Sequence, residues 1–274
     1  MTARPELRSL GALTFPEVTG KLKPSSILCL PLGATEQHGA HLPLNTDVVV
    51  AEGLTRALIA RLGEEFDLWQ LPTLSVGLSR EHDWAPGTLS LSVAIFASLI
   101  KELAREIVRA LPARNLVIVN GHGGNRGILE NLLREITSDL PLNACAIHPF
   151  DLGKATAASA NVASADAASA DVHGGVGETS VMLALAPELV RRDLIAGASP
   201  PRAADAIAAL VFDRGVTWPW RTDDPRLAQA GIIGDPRSAS AEQGKAMIDA
   251  MVEAAREVFT RLRENQAALR TPRA

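Results

Sequence analysis

The chain contains no tyrosine, and aromatic residues make up only 4% of its 274 positions. Basic runs are missing as well: 27 Lys and Arg stand against 31 Asp and Glu, a net charge of −4. Few aromatics and no basic patch argue against a nucleic-acid partner, and the charge argues against binding to anionic membrane surfaces. No stretch approaches the roughly 18 consecutive apolar residues needed to cross a bilayer. The arm from Met1 to Phe15 lacks the continuous apolar segment of a secretory signal. A cytoplasmic protein is expected. Only two cysteines occur, Cys29 and Cys145, each in an apolar strand-like run without a close partner. Both read as reduced core thiols.

What remains is ordinary for a soluble globular protein, 47% hydrophobic and 21% charged. The length suits one large α/β domain over residues 1–274. Ser26–Gly33 reads as a buried strand closed by a glycine turn, and Leu116–Asn120 as the uninterrupted apolar strand that parallel sheets bury on both faces. Leu68–Gly77 is strand-like, with Pro72 marking an edge or an irregularity, and Ala144–Phe150 is a further strand. Helices alternate with them. One is N-capped by Thr46 and carries Leu54, Leu58 and Leu62; another spans Ser92–Leu111 through Ile95, Leu99, Leu103 and Ile107. A third carries Leu129, Leu132, Leu133 and Ile136, a fourth runs through Val181 and Leu185, and a last long one covers about 241–262. This alternation predicts a mostly parallel sheet with helices on both faces. Lys154–Ala170 is low-complexity Ala/Ser/Asp, read as an excursion or a weak helix.

The chemistry gathers in the turns. GATEQHGAHLPLNTD, from Gly33 to Asp47, holds Glu36, His38, His41 and Asp47. Carboxylate and imidazole together are ligands for zinc, iron or manganese. In an extended segment Glu36 and His38 leave the same face. His122 lies in GHGGN directly after the third strand, and loops at the carboxyl ends of such strands meet in a common crevice. His173 and Glu178 lie in another Gly-rich turn that can close it. A lone histidine is more often structural than a ligand, but a cluster of them in Gly-rich turns beside carboxylates points to a site. GHGGN has neither the spacing of a nucleotide-binding loop nor a following Lys, which makes phosphate cradling the minor reading.

Taken in order, EQHGAHLPLNTD, the EH…PGTLSL element at Glu81–Leu91, NGHGGN, HGGxxETS and GIIGDP resemble the creatininase (creatinine amidohydrolase) family. Its members include creatininases, formamide hydrolases of flavin and deazaflavin biosynthesis, the mycofactocin-precursor peptidase and some carbohydrate-ring hydrolases. The resemblance implies a three-layer α/β/α fold with a mostly parallel central sheet and a homohexamer. It also implies two divalent metal ions per subunit, zinc first and manganese or iron otherwise. Carried over, Glu36 and His122 would hold one metal and Asp47 would bridge to the second, whose shell His38 and Glu178 would complete. His173 matches the catalytic histidine, with Glu178 beside it in the catalytic set, and His41 a supporting one. Creatininases proper carry Tyr and Glu after the metal-binding histidine, where this chain has Gly123 and Gly124. That Glu is a ligand in those enzymes, so its role passes to Glu178, as in the NGHGGN branch, and creatinine is disfavoured as substrate. HGG also replaces the usual HAG, leaving more room beside His173.

The implied reaction is hydrolysis. Two cations sharing Asp47 would lower the pKa of a water enough to supply hydroxide at neutral pH. His173, titrating near neutrality, would protonate the leaving nitrogen. The expected substrate is a small molecule with a cyclic amide or formamide-type C–N bond. Alternatives are a short modified peptide of the mycofactocin type, a carbohydrate-derived ring or, least favoured, a non-catalytic metal-binding module. Ser79, Glu81 and His82 are placed to contact substrate or to orient ligands, with Gly123 beside them. Trp84, Trp218 and Trp220 would wall a pocket for a flat substrate or pack between subunits. Asn125 and Asp235 are expected to fix loop geometry.

Overall fold

A computed structural model describes residues 8–154, 171–197, 204–213 and 215–270. Strands β1 (Ile27–Leu32), β2 (Leu68–Gln70), β3 (Asn115–Asn120) and β4 (Asn143–Ile147) form a parallel sheet in the order β2-β1-β3-β4. Side chains alternate across each strand, and that alternation sorts the core into two layers. Leu28, Leu30, Leu32, Leu116 and Ile118 face one side, where they pack on Phe96, Ile100, Leu129, Leu132 and Ile136. Ile27, Cys29, Val117 and Val119 face the other and meet Leu54, Leu58, Leu62, Met251, Ala255 and Phe259. The described helices are α1 (Phe15–Lys21), α2 (Thr46–Phe66), α3 (Val93–Ala110), α4 (Arg126–Asp139), α5 (Pro149–Lys154), α6 (Val176–Leu185), α7 (Arg192–Ile195), α8 (Ala204–Leu210) and α9 (Ala241–Arg270). With α3 and α4 on one face and α2 and α9 on the other, the fold is a three-layer α/β/α sandwich. None of these helices is long and apolar enough to cross a membrane.

The register places the site. Leu32 pairs with Asn120, so β1 and β3 end level with each other. The chain leaves β1 towards β2 on one side and returns past it to β3 on the other. The switch point therefore lies between β1 and β3, where an open parallel sheet forms a crevice at its carboxyl edge.

Several boundaries differ from the sequence expectation for local reasons. The second strand stops at Gln70 rather than Gly77: beyond Pro72 only Leu74 returns to the sheet, as an isolated bridge to Leu32. The fourth ends at Ile147, because Pro149 has no N–H for a ladder but fits the first turn of α5. Asn45, not Thr46, occupies the N-cap position of α2, and Thr46 instead donates to the Pro43 carbonyl. In α3 the buried face is Phe96, Ile100, Ala104 and Ile107, while Ile95 and Leu99 are 59% and 40% exposed. The last helix continues to Arg270. All of the low-complexity stretch after Lys154 lies outside the described residues.

Both thiols are free, and burial raises Cys29 to about 12 and Cys145 to about 11, which leaves them unreactive. Phe259 is fully buried on α9 with its ring 5.5 Å from that of Phe66. Phe259→Ala is expected to destabilise the fold by about 3–5 kcal/mol in urea unfolding, the range for an aromatic removed from a close-packed core. A loss below ~1 kcal/mol would mean that α9 contributes little to this layer.

Candidate metal centre

Glu36, His38 and Asp47 all follow β1, the last in the first turn of α2; His122 follows β3. Close approach of the two loops needs glycine: a Cβ on Gly121 would run into the Asp47 carbonyl. Glu36, His38, Asp47 and His122 are each at least 96% buried. His122 Nδ1 lies 3.2 Å from Glu36 Oε1 and 3.1 Å from Asp47 Oδ2. His38 Nε2 lies 3.1 Å from Asp47 Oδ1 and 3.7 Å from Glu178 Oε2. The two oxygens of Asp47 thus face two different groups, Glu36 with His122 and His38 with Glu178, each compact enough to surround a cation.

Hydrogen bonds hold these side chains in place; in His122, His38 and Glu36 they engage an atom other than the one facing the centre, and in Glu178 the same Oε2 that faces His38. His122 Nε2 donates to the Leu78 carbonyl at 2.5 Å, and His38 Nδ1 donates to the Glu36 carbonyl at 3.2 Å. Ser79 Oγ donates to Glu36 Oε2 at 2.5 Å, and the Gly174 amide donates to Glu178 Oε2 at 2.6 Å. Such contacts fix the tautomer and aim the free atom inwards, as around metal-bound histidines. Glu36 Oε1 and Asp47 Oδ2 are buried without a hydrogen-bond partner. Orphaned carboxylate oxygens are costly in a protein interior. A divalent cation, with ligand atoms of this kind around it, satisfies both.

The electrostatics agree with a cation-binding centre. Burial alone would lower His38, yet Asp47, Glu178 and Glu36 outweigh it and lift it to about 10. His122 is likewise raised, burial being overcome by Glu36 and Asp47. Burial acts against the Asp47 carboxylate, but His38 and His122 hold it well below the usual range. Burial raises Glu178 to about 7 against the pull of His38. The centre carries more negative charge than its imidazoles balance, and draws in positive charge.

The structure brings His173 to the same place. An antiparallel bridge joins it to Ile233 (amide to carbonyl 3.0 and 2.9 Å), which explains why the GIIGDP motif accompanies it. Its ring lies 4.3 Å from that of His38 and 4.0 Å from that of His82, and Nδ1 is 3.7 Å from Glu36 Oε1. The expectation that His173 titrates near neutrality is corrected: burial, then His82 and His38, push it well below the ordinary histidine value. It rests as a neutral imidazole. His41 stands back from the ligands and meets Thr179 Oγ1 at 2.8 Å, in the supporting position expected of it.

Among the other candidates, Ser79 is buried and orients Glu36. Glu81 has Oε1 3.5 Å from His122 Nε2. It fills the space beside Gly124, where a Cβ would collide with it, with His122 and with the Leu78 carbonyl; beside Gly123 the space is open. His82 is buried, with Nε2 3.5 Å from Glu36 Oε1. Trp218 and Trp220 line a cavity of about 500 Å³ with Leu210, Arg221 and Asp224, and Trp218 is 46% exposed. Thr222 of that same loop reaches back to the cluster, accepting from Trp84 Nε1 at 3.0 Å and lying 2.8 Å from His82 Nδ1. Asn125 joins the three loops, accepting from the Leu78 amide and donating to the Gly33 carbonyl, and Asp235 caps its own turn through the Arg237 amide.

Two residues escaped the sequence reading. Gln37 and Thr222, 93% and 98% buried, form a polar hub that touches both His82 and His173. Gln37 lies between two evident ligands, so its position was a signal; nothing in TWPWRTDD distinguishes Thr222.

The creatininase family pattern, described as creatinine amidohydrolase, matches residues 11–259. The mycofactocin precursor peptide peptidase of Mycobacterium ulcerans is 32% identical over 91% of this chain and 89% of its own. The creatinine amidohydrolase of Pseudomonas putida is 31% identical over 89% of this chain and 93% of its own. Two creatininase structures, a mutant of Zn-Zn type and a manganese form, superimpose with TM-scores of 0.73 and 0.72 at 27% identity, each covering 95% of this chain and 99% of its own. Their metals, with the ligand groups found here, support a divalent metal cofactor. The chain belongs to the creatininase family, amidohydrolases that act on C–N bonds other than ordinary peptide bonds.

Proposed function

We propose that this protein hydrolyses a small-molecule C–N bond, of the cyclic amide or formamide type, at a centre of two divalent cations. Glu36, His122 and Asp47 Oδ2 would hold one, and His38, Glu178 and Asp47 Oδ1 the other. The observation that carries this reading is the pair of buried, unpartnered oxygens, Glu36 Oε1 and Asp47 Oδ2, facing His122. Zinc, manganese and iron all suit mixed imidazole and carboxylate ligands. Bound there, the cations would supply an activated water and polarise the scissile carbonyl. His173, neutral at rest, takes a proton from the attacking water at Nδ1 and returns it to the leaving nitrogen. Its depressed basicity makes the protonated ring a strong acid, which suits delivery to a poor leaving group.

Creatinine is not the favoured substrate. Glu81 takes up the room beside Gly124, and Glu178 supplies the remaining carboxylate instead. Open space at Gly123 suits a larger substrate. A short modified peptide is the second reading, supported by the peptidase relatives of 32% identity. We further infer a single catalytic domain over residues 1–274 in the cytoplasm, assembled as a homohexamer; the exposed Leu89, Val93 and Ile95 support the assembly. Light scattering of the purified protein checks it.

The decisive experiment is turnover of the zinc- or manganese-loaded protein on creatinine, other cyclic amides, formamides, lactones and short peptides. Hydrolysis of an amide class is expected; a metal content below about one per chain would sink the reading. His173→Ala is expected to lower kcat by about 10²–10⁴-fold, the usual worth of a proton-transfer group, with metal content unchanged. Retained turnover would remove it as the proton carrier.

A further inference from the structure

His82 and His173 are stacked imidazoles, 4.0 Å apart and 23° from parallel, with buried nitrogens turned towards the centre. Their hydrogen-bond partners bear on which of those nitrogens carries a proton. The Gln37 amide is oriented by two backbone groups. Its Oε1 accepts from the Gly39 N–H at 2.9 Å and its Nε2 donates to the Gly231 carbonyl at 2.9 Å. The φ of +82° at Gly231, and the collision that a Cβ there would make with Gln37, bring that carbonyl in close.

His173 Nε2 lies 2.7 Å from the Gln37 main-chain carbonyl, which can only accept. Nε2 therefore carries the proton, and Nδ1 presents its lone pair to the centre. The 3.1 Å separation between His173 Nε2 and Gln37 Nε2 is then a contact of two donors whose protons point elsewhere. The alternative sets two lone pairs against each other at 2.7 Å. The second proton of the Gln37 amide has His82 Nδ1 at 3.0 Å and the Thr222 hydroxyl at 3.4 Å in reach, the ring nitrogen being the nearer; that hydroxyl itself lies 2.8 Å from His82 Nδ1 and 3.1 Å from the Glu81 carbonyl. With His82 Nδ1 taken as the acceptor of that proton, the ring's own proton is on Nε2, 3.5 Å from Glu36 Oε1.

We propose that Gln37 sets the two stacked histidines in opposite roles, His173 as the lone-pair acceptor and His82 as an N–H donor to the substrate oxygen. His82 is then not a metal ligand. The inference rests on the hydrolytic reading above. As the water oxygen bonds to the carbonyl carbon, its proton passes to His173 Nδ1 and the carbonyl π pair moves onto oxygen. The His82 Nε2–H meets that growing negative charge. When the C–N bond breaks, the pair returns to the carbonyl and the proton goes from His173 to nitrogen. A pre-aimed donor of this kind stabilises charge that appears only during the reaction. Gln37 acts through the two rings and is a positioning residue.

The tautomers are read without turnover. In ¹⁵N-histidine-labelled protein, only six imidazoles contribute. His82 and His173 are both expected to be protonated at Nε2 alone, metal-free and zinc-loaded. In Gln37→Glu, whose carboxylate accepts where the amide donated, His82 is expected to move its proton to Nδ1. A wild-type His82 protonated at Nδ1 overturns the assignment, whatever the fate of the variant. For the donor role the probe is inorganic phosphate, a tetrahedral oxyanion, on the zinc-loaded protein. His82→Leu is expected to weaken phosphate binding tenfold or more with zinc retained, and His82→Gln, which keeps an N–H near Nε2, to restore most of it. Equal affinities in wild type and His82→Leu, including no binding by either, overturn the donor role. Loss of zinc from His82→Leu while it stays folded would make His82 a ligand instead. Failure of the turnover screen with these results intact would sink the hydrolytic reading and leave the tautomers standing.

Discussion

Replacing Asp47 with alanine is expected to release both metals together and to lower turnover by about 10³-fold or more, the scale of losing metal-supplied charge stabilisation. Its two oxygens serve different groups: Oδ1 faces His38 at 3.1 Å, and Oδ2 faces His122 at 3.1 Å. Among the described carboxylates only Glu36 is shared in a comparable way, and through the single oxygen Oε1. Glu36 Oε1 is nearest to His122, and Glu178 Oε2 lies on the His38 side. Metal analysis after gel filtration therefore distinguishes the three. Wild type should retain near two equivalents, Glu178→Gln about one, and Asp47→Ala close to none. Asp47 sits in the first turn of α2, and the elution volume in the same gel filtration shows whether the variant is folded. If Asp47→Ala sheds one equivalent while Glu178→Gln sheds none, the bridge is misplaced and the centre holds a single cation.

The cluster was legible because carboxylates and imidazoles at short spacing stand out, and the loops that carry them leave the ends of apolar strands. Glu36, His38, Asp47 and His122 come together as the sheet topology predicts, since β1 and β3 are adjacent and end level. Glu178 was picked out with His173 in its Gly-rich turn, but its place beside His38 needed the resemblance: nothing in that turn says that α6 packs against α2. The orientation of α3 was not legible. Its apolar residues, Val93, Ile95, Phe96, Leu99, Ile100, Leu103 and Ile107, cover more than one stripe of the helix. Periodicity locates a helix in such a segment but cannot choose which stripe meets the sheet. Phe96 and Ile100 went inward, leaving Ile95 and Leu99 on the surface. Gln37 and Thr222 were missed for a different reason. Their importance lies in hydrogen bonds that exist only once Gly39, Gly231 and both rings are in place.

Withdrawing the metals should make stability fall with rising pH, over a window that the ligand histidines define. In the metal-free protein His38 is raised from its ordinary value to about 10, chiefly by Asp47 and Glu178 working against burial, and His122 is raised in the same sense. A group raised on folding contributes stability that is complete below its unfolded value, about 6.5, and is lost as pH climbs towards its folded one. The depressed histidines act in the opposite direction. His173, His82 and His41 add stability as pH rises to 6.5, and have no further effect above it. Asp47, held low, loses its contribution only in acid. Above pH 6.5 the ligand histidines therefore govern the slope. At roughly 1.4 kcal/mol per pH unit, His38 alone accounts for about 3 kcal/mol between pH 6.5 and 9. For a chain of this size that corresponds to a fall in Tm of the order of 10 °C. Bound cations take the place of those protons, since ligand histidines must be neutral to coordinate. The zinc-loaded protein should therefore hold or raise its Tm over the same window. Calorimetry of EDTA-treated and zinc-loaded samples at pH 6.5, 7.5 and 9 should give diverging lines. Parallel lines would mean that no cation replaces the protons of His38 and His122, and the centre would lose its strongest physical argument.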